Sequence, residues 1–177
     1  MKEEVKRILV ELGVENKEIL ENTPKRYEQA IKEMVSIKQE PVPTLTSFEV
    51  EDGGNVVMIG PLEGVSLCPH HLLSFVTEAF FGYLPHKRVL GLSKPARLYT
   101  YICSQLGLQE EFGPKFLNEV EKQFACKGAA VLIKGSHSCA SIRGVKQGKS
   151  HTITYTSRGD MRKDYWMREF RAMIQLL

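Results

Sequence analysis

The order in which helical and strand periodicities follow one another restricts the fold of this chain more than any other feature. Residues 3–12 place Val5, Ile8, Leu9 and Leu12 on one helical stripe, which Gly13 ends. Thr23-Pro24 reads as an N-cap followed by proline at the first helical position, and Tyr27, Ile31 and Met34 carry a helical face to about Val35. Residues 37–46, which include Pro41 and Pro43, read as an extended linker. Between Val50 and Leu84 the pattern changes to short β-rich runs, NVVMIG and SFVTEAFFGYL, separated by Asp52-Gly53-Gly54 and by a polar cluster around Cys68. Ser93 is placed to cap a helix over 94–106 that Gly107 stops, and Gly113-Pro114 opens another to about Phe124. After Lys127-Gly128 come three β-rich runs, AAVLIKG, SHSCASIRG and SHTITYTS, and residues 164–177 return to a helical pattern.

Strand runs set beside helix runs predict an α+β fold: an antiparallel sheet covered on one side by the two mid-chain helices, not a doubly wound parallel sheet. The 177 residues suit one core, or a subunit whose small size is offset by assembly. The boundaries that follow are an N-terminal helical region and linker over 1–46 and a main domain over 47–177. An apolar fraction of 42% with 25% charged residues is that of a globular protein. A net charge of +3 is compatible with an anionic ligand such as a nucleotide, but too mild for a protein that coats DNA. No apolar run approaches the ~18 residues of a membrane span, and MKEEVKRILVELGV mixes charges through its apolar positions where a signal peptide would have none, so a cytoplasmic address is expected. There is no internal repeat, low-complexity tract or glycine-rich phosphate loop. The four cysteines, Cys68, Cys103, Cys126 and Cys139, are too few and too irregular for a secreted disulfide framework, which leaves thiols available for metal.

Chemistry concentrates first in Cys68-Pro69-His70-His71, where a turn that Pro69 helps to set brings a thiol and an imidazole together. Far downstream, His137-Ser138-Cys139 falls in a predicted strand. Residues two apart there share a face, so His137, Cys139, Ser141 and Arg143 are expected to project together. Cys68, His71 and Cys139 would then supply two thiolates and one imidazole, leaving a fourth tetrahedral position for water, the open arrangement of catalytic zinc. A single cysteine or histidine is more often a packed core residue than a ligand, and the weight rests on the combination. Cys103 and Cys126 have no histidine neighbours and read as structural.

A second constellation is basic. Ser93-Lys94, with Arg97 one turn on, stands at the start of a predicted helix whose free N–H groups favour an anion; the alternative is a solvated helix face. Arg143 points a further cation toward the same pocket. Gln109-Glu110 pairs an amide with a carboxylate able to receive the N1–H and 2-amino edge of guanine, although a plain surface acid would look the same and Glu111 is an equal candidate for the carboxylate.

These motifs together resemble the GTP cyclohydrolase I family, which converts GTP to 7,8-dihydroneopterin triphosphate with release of formate. The resemblance runs from about Gly64 through Arg171, on CPHHLLSF, GYLPHKRVLGLSKPARL, GLQEEF, GAAVLIKGSHSCASIRGV, SHTITYTSRG and REF, with a weaker echo in TPKRYEQAIKEM. It implies the tunnelling fold, a toroidal homodecamer, and active sites built from more than one subunit. It implies zinc on Cys68, His71 and Cys139, proton transfer by His70 and His137, guanine on Gln109 and Glu110, and triphosphate on Ser93, Lys94, Arg97 and Arg143, with Arg26 added through the Thr-Pro-x-Arg helix. Two positions depart from the pattern: Pro69 stands where the family usually has glutamate, and Ser74 where it usually has proline. Neither removes a ligand, but both alter the rigidity and charge beside the metal.

The expected chemistry is therefore attack of an activated water at C8 of guanine, with GTP as substrate and neither nucleic acid nor membrane as partner. Two rivals remain at this level. A specialised relative would prefer a deoxynucleotide or stop at the ring-opened formamide, and Pro69 keeps that open. A non-enzymatic zinc module binding nucleic acid would need a fourth protein ligand and a basic stripe with exposed aromatics. Folate, other pterins and 7-deazaguanine modification all begin from this reaction, and the residues do not choose among them.

Overall fold

The structure, a computed structural model, describes residues 1–35, 41–52 and 54–176. Positions 36–40, which take in the start of the predicted linker, and Gly53 of the predicted turn lie outside the described residues. Two helices come first, α1 over Lys2–Glu11 and α2 over Lys17–Val35. The second starts earlier than the Thr23-Pro24 signal suggests. Asn16 caps it, its Oδ1 accepting from the backbone N–H groups of Glu18 at 3.0 Å and Ile19 at 3.3 Å, and Pro24 lies inside the helix.

The sheet is antiparallel throughout. Strands β2 (Val57–Leu67), β3 (Ser74–Leu84), β5 (Gly128–His137) and β6 (Thr152–Gly159) lie in the order β2-β3-β5-β6, and β1 (Ser47–Glu49) pairs with β4 (Arg88–Leu90) as a separate ribbon. Between β4 and β5 run the two predicted mid-chain helices, α3 (Ser93–Cys103) and α4 (Gln109–Gln123). This is the α+β arrangement that the order of periodicities predicts. Pro61, which donates no ladder hydrogen bond, falls in edge strand β2 where the register shifts between Ile59 and Leu62.

Alternation along β3 assigns the two faces. Phe75, Thr77, Ala79, Phe81 and Tyr83 point to the covered side, where they pack with Val131 and Ile133 of β5, Leu98 and Tyr99 of α3, and Phe112 and Phe116 of α4. On the other side, Leu84 and Ala130 are covered by Met161 and by Phe170 of the terminal helix α6 (Asp164–Ile174). The rest of that second face is open, with Val65, Val76 and Ile153 exposed. Edge strands β2 and β6 carry no further strand among the described residues.

Two expectations need correction. Gly113-Pro114 does not open α4; the helix begins at Gln109, and Gly113 lies inside it, where the missing side chain lets the helix press against Thr156 of β6. The run SHSCASIRG is not a strand. β5 stops at His137, and Ser138–Ser141 form a single helical turn, α5, so Cys139 and Arg143 do not share a strand face with His137.

Candidate metal centre and adjoining cavity

Strands β2 and β3 form a hairpin, and residues 68–73 are its loop. The Cys68 N–H donates to the Leu73 carbonyl at 2.9 Å, and the Cys68 carbonyl accepts from the N–H groups of His71 at 3.3 Å and Leu72 at 2.8 Å. Leu72 takes a positive φ of 52°, an uncommon conformation for a branched residue and one that tends to occur at functional sites. This folded loop turns His71 back over Cys68. Beside it, the strand-to-helix junction after His137 brings in Cys139.

One ligand atom each from Cys68, His71 and Cys139 lies within 4.8 Å of the others, and among the described residues no further cysteine, histidine or carboxylate joins the group. Cys68 is buried, Cys139 half-buried and His71 exposed, so the trio opens outward. The trio predicted from the sequence therefore assembles, although Cys139 arrives in a helical turn and not along a strand. Burial, and then the neighbouring Cys68 thiol, push the Cys139 thiol above its ordinary range, while Arg143 pulls the other way. Two sulfurs and one imidazole are a donor set that suits zinc, and three protein ligands leave a tetrahedral position free. The closed four-ligand site demanded by a structural zinc module is not formed among the described residues.

A cavity of about 280 Å³ adjoins the trio, lined by residues that include Cys68, His70, Phe75, Glu110, His137 and Cys139. A larger hollow of about 430 Å³ on the open sheet face has a wall of Glu63, Glu78, Lys134 and His151 but no thiol. Convergence of donors, not volume, makes the smaller one the candidate site.

Within it, the His137 ring stacks on Phe75 at a centroid distance of 4.3 Å, and its Nε2 lies 2.9 Å from Gln109 Oε1. Burial holds the His137 imidazole below its usual pKa, and the Glu110 carboxylate partly offsets this. His70 Nδ1 stands 3.7 Å from the Cys68 sulfur. Gln109 is 1% exposed, and its amide is bonded within the chain. Glu110 and Glu111, indistinguishable in the sequence, separate here. Glu111 forms an ion pair with Lys115 at 2.8 Å, whereas Glu110 lines the cavity and makes no ion pair among the described residues.

The cations divide as well. Arg143 reaches the trio, its guanidinium 3.5 Å from His71 Nε2. Ser93 and Arg97 are exposed and Lys94 half-buried in the first turns of α3, and Arg26 is exposed on α2; none of the four lines the cavity. Phe75 is the residue that sequence reasoning missed. The antiparallel register pairs it with His137, and no local pattern announces such a register.

The family model for GTP cyclohydrolase I matches residues 1–175. The chain belongs to the GTP cyclohydrolase I family. The match takes in α1 and α2, N-terminal to the stretch from about Gly64 in which the resemblance is strongest and including the weaker TPKRYEQAIKEM echo in α2. Among curated relatives, GTP cyclohydrolase 1 of Coxiella burnetii is 34% identical over 175 residues, covering 97% of this chain and 95% of that protein. The GTP cyclohydrolase 1 of Streptococcus agalactiae is 36% identical over 90% of this chain and 87% of its own, and that of Acetivibrio thermocellus 32% identical over 98% and 95%. A solved archaeosine synthase QueF-like protein overlaps 61% of this chain and 97% of its own at 16% identity, with a TM-score of 0.46. GTP cyclohydrolase I relatives thus align along nearly their full length with a chain whose cysteines and histidine converge on one point.

Proposed function

We propose that this protein hydrolyses GTP at C8 of the guanine, releasing formate and forming 7,8-dihydroneopterin triphosphate. The observation that carries the reading is the convergence of Cys68, His71 and Cys139 beside a cavity that also holds His70, His137 and Glu110, in a chain of this family. Zinc bound by that trio would supply Lewis-acid activation of water. The remaining steps belong to the side chains. Glu110 receives the N1–H and 2-amino group of guanine, which orients C8 toward the trio. His137 delivers a proton to the imidazole nitrogen of the base as the ring opens, and His70 assists, imidazole being a side chain that can both give and take a proton.

The triphosphate falls to Ser93, Lys94, Arg97 and Arg143, with Arg26. A 280 Å³ cavity is small for a whole nucleotide, and none of these five residues lines it, although Arg143 stands beside His71, which favours a site completed by a neighbouring copy. Open edges at β2 and β6 and the exposed Val65, Val76 and Ile153 favour the same assembly, a homodecamer by kinship, with 47–177 as catalytic domain and 1–46 as helical region. No described helix is long and apolar enough to cross a membrane, in keeping with work in the cytoplasm on a soluble nucleotide.

The test is incubation of zinc-loaded protein with GTP and, separately, dGTP, followed by formate and fluorescent pterin. Formate and pterin from GTP are the expected outcome. A ring-opened formamide without pterin, or turnover of dGTP alone, would replace the reading with that of a specialised relative. No product from either nucleotide would refute it.

A further inference from the structure

The hydrogen bonds around Gln109 determine more than its position. Its Nε2 donates to the Ile133 carbonyl at 3.2 Å and to the Thr152 carbonyl at 3.0 Å. Carbonyl oxygens only accept, so both amide hydrogens are committed and the orientation of the amide is settled. The atom presented to His137 Nε2 at 2.9 Å is therefore Oε1, which also only accepts. His137 Nε2 must then carry a hydrogen. The ring plane is held separately by the stack on Phe75, which itself stacks on Phe112 at 5.8 Å.

The backbone opposite makes room for this arrangement. A Cβ at Gly135 would overlap Gln109 Oε1 and come within 3.2 Å of His137 Nε2. Strand β5 thus carries no side chain where the amide lies, and any larger residue would push the amide from the ring. With 1% exposure, Gln109 has no amide hydrogen to offer a ligand.

We infer that Gln109 is a positioning residue that locks His137 in the Nε2–H tautomer, leaving Nδ1 as the nitrogen without a hydrogen in the neutral ring, and that the Gln109 side chain does not itself hold the base. This departs from the guanine contact that the family resemblance implies for Gln109. It rests on the cyclohydrolase reading only for its kinetic consequence; the tautomer itself is a property of the resting protein.

The experiment uses zinc-loaded protein labelled with [15N]histidine, which contains five histidines, studied by solid-state 15N NMR at about pH 8, where a neutral ring predominates. The His137 signals, assigned by their loss in His137→Asn, are expected to show a protonated Nε2 and a bare Nδ1. In Gln109→Met, which keeps the length and removes the acceptor, the single tautomer is expected to give way to a mixture. With GTP, kcat is expected to fall on the order of 10²-fold while KM stays within about twofold. Gly135→Ala, which displaces the amide without altering it, should move both readouts the same way. A wild-type His137 that is mixed or bare at Nε2 would overturn the inference whether or not either variant folds. So would a Gln109→Met protein with unchanged His137 signals, whether its KM rises or its kinetics are those of the wild type. Wild-type protein that shows the tautomer but makes no product from GTP would count against the proposed reaction and leave the lock standing.

Discussion

Two sulfur-bearing nodes lie on the covered side of the same sheet, and they behave differently because of their partners. Around Cys103 everything is sealed. The thiol is 1% exposed, Tyr99 donates to Thr77 Oγ1 at 2.7 Å, and Thr77 donates to the Gly64 carbonyl at 3.3 Å. Burial pushes the Cys103 thiol up to about 11 and the Tyr99 hydroxyl higher still. At the strand ends, Cys68, His71 and Cys139 present their donors to one another and to a cavity. The first node uses up its polar atoms in holding β2 and β3 to α3, and the second leaves them facing one another beside a cavity. Residue type alone would have assigned both the same role; satisfaction of polar atoms separates them.

The comparison can be broken most severely at the open node. Cys139→Ala should remove bound zinc and lower formate release by roughly 10³-fold or more, read by metal analysis and a formate assay, whereas Cys103→Ala should leave both close to wild type. His137→Ala should keep its zinc and lose about 10²- to 10⁴-fold in ring opening, which separates proton transfer from metal binding. At the sealed node the effects are on stability. Thr77→Val strands the Tyr99 hydroxyl in the core and should cost about 1–3 kcal/mol in denaturant unfolding. Tyr99→Phe removes one hydroxyl and leaves Thr77 its carbonyl partner, so about 1 kcal/mol is expected, with formate release unchanged. Thiol labelling at about pH 8 gives the finest distinction. Chelation should expose Cys68 and Cys139 to reagent, while Cys103, buried and with only ~0.1% thiolate at a pKa near 11, stays unlabelled without denaturant.

The α+β class was legible because the change from period 3.6 to period 2 survives in short runs such as SFVTEAFFGYL, whose odd-numbered residues from Phe75 to Tyr83 are all buried and alternate with less buried ones until Gly82 and Leu84, where the other face is covered as well. The convergence of Cys68, His71 and Cys139 was legible because thiols and imidazoles are rare enough that their clustering carries information. Boundaries were less so. Gly113-Pro114 looks like punctuation, yet Gly113 serves helix-to-sheet packing, and Pro114 sits within a helix that tertiary contacts hold. The HxC segment has the pattern of a strand, and the convergence that pattern predicts is achieved instead by a strand ending in a helical turn. What no local pattern could supply is register. That Phe75 faces His137, and that Gln109 bridges two carbonyls on different strands, depends on residues far apart in the chain meeting across β3, β5 and β6.

Zinc K-edge X-ray absorption on the purified protein tests the metal centre most directly. Two sulfur scatterers at about 2.3 Å, one imidazole nitrogen and one further light atom are expected, with the shell lost in Cys139→Ala. A shell of four protein ligands, or zinc retained with its two sulfurs in Cys139→Ala, would contradict the assignment.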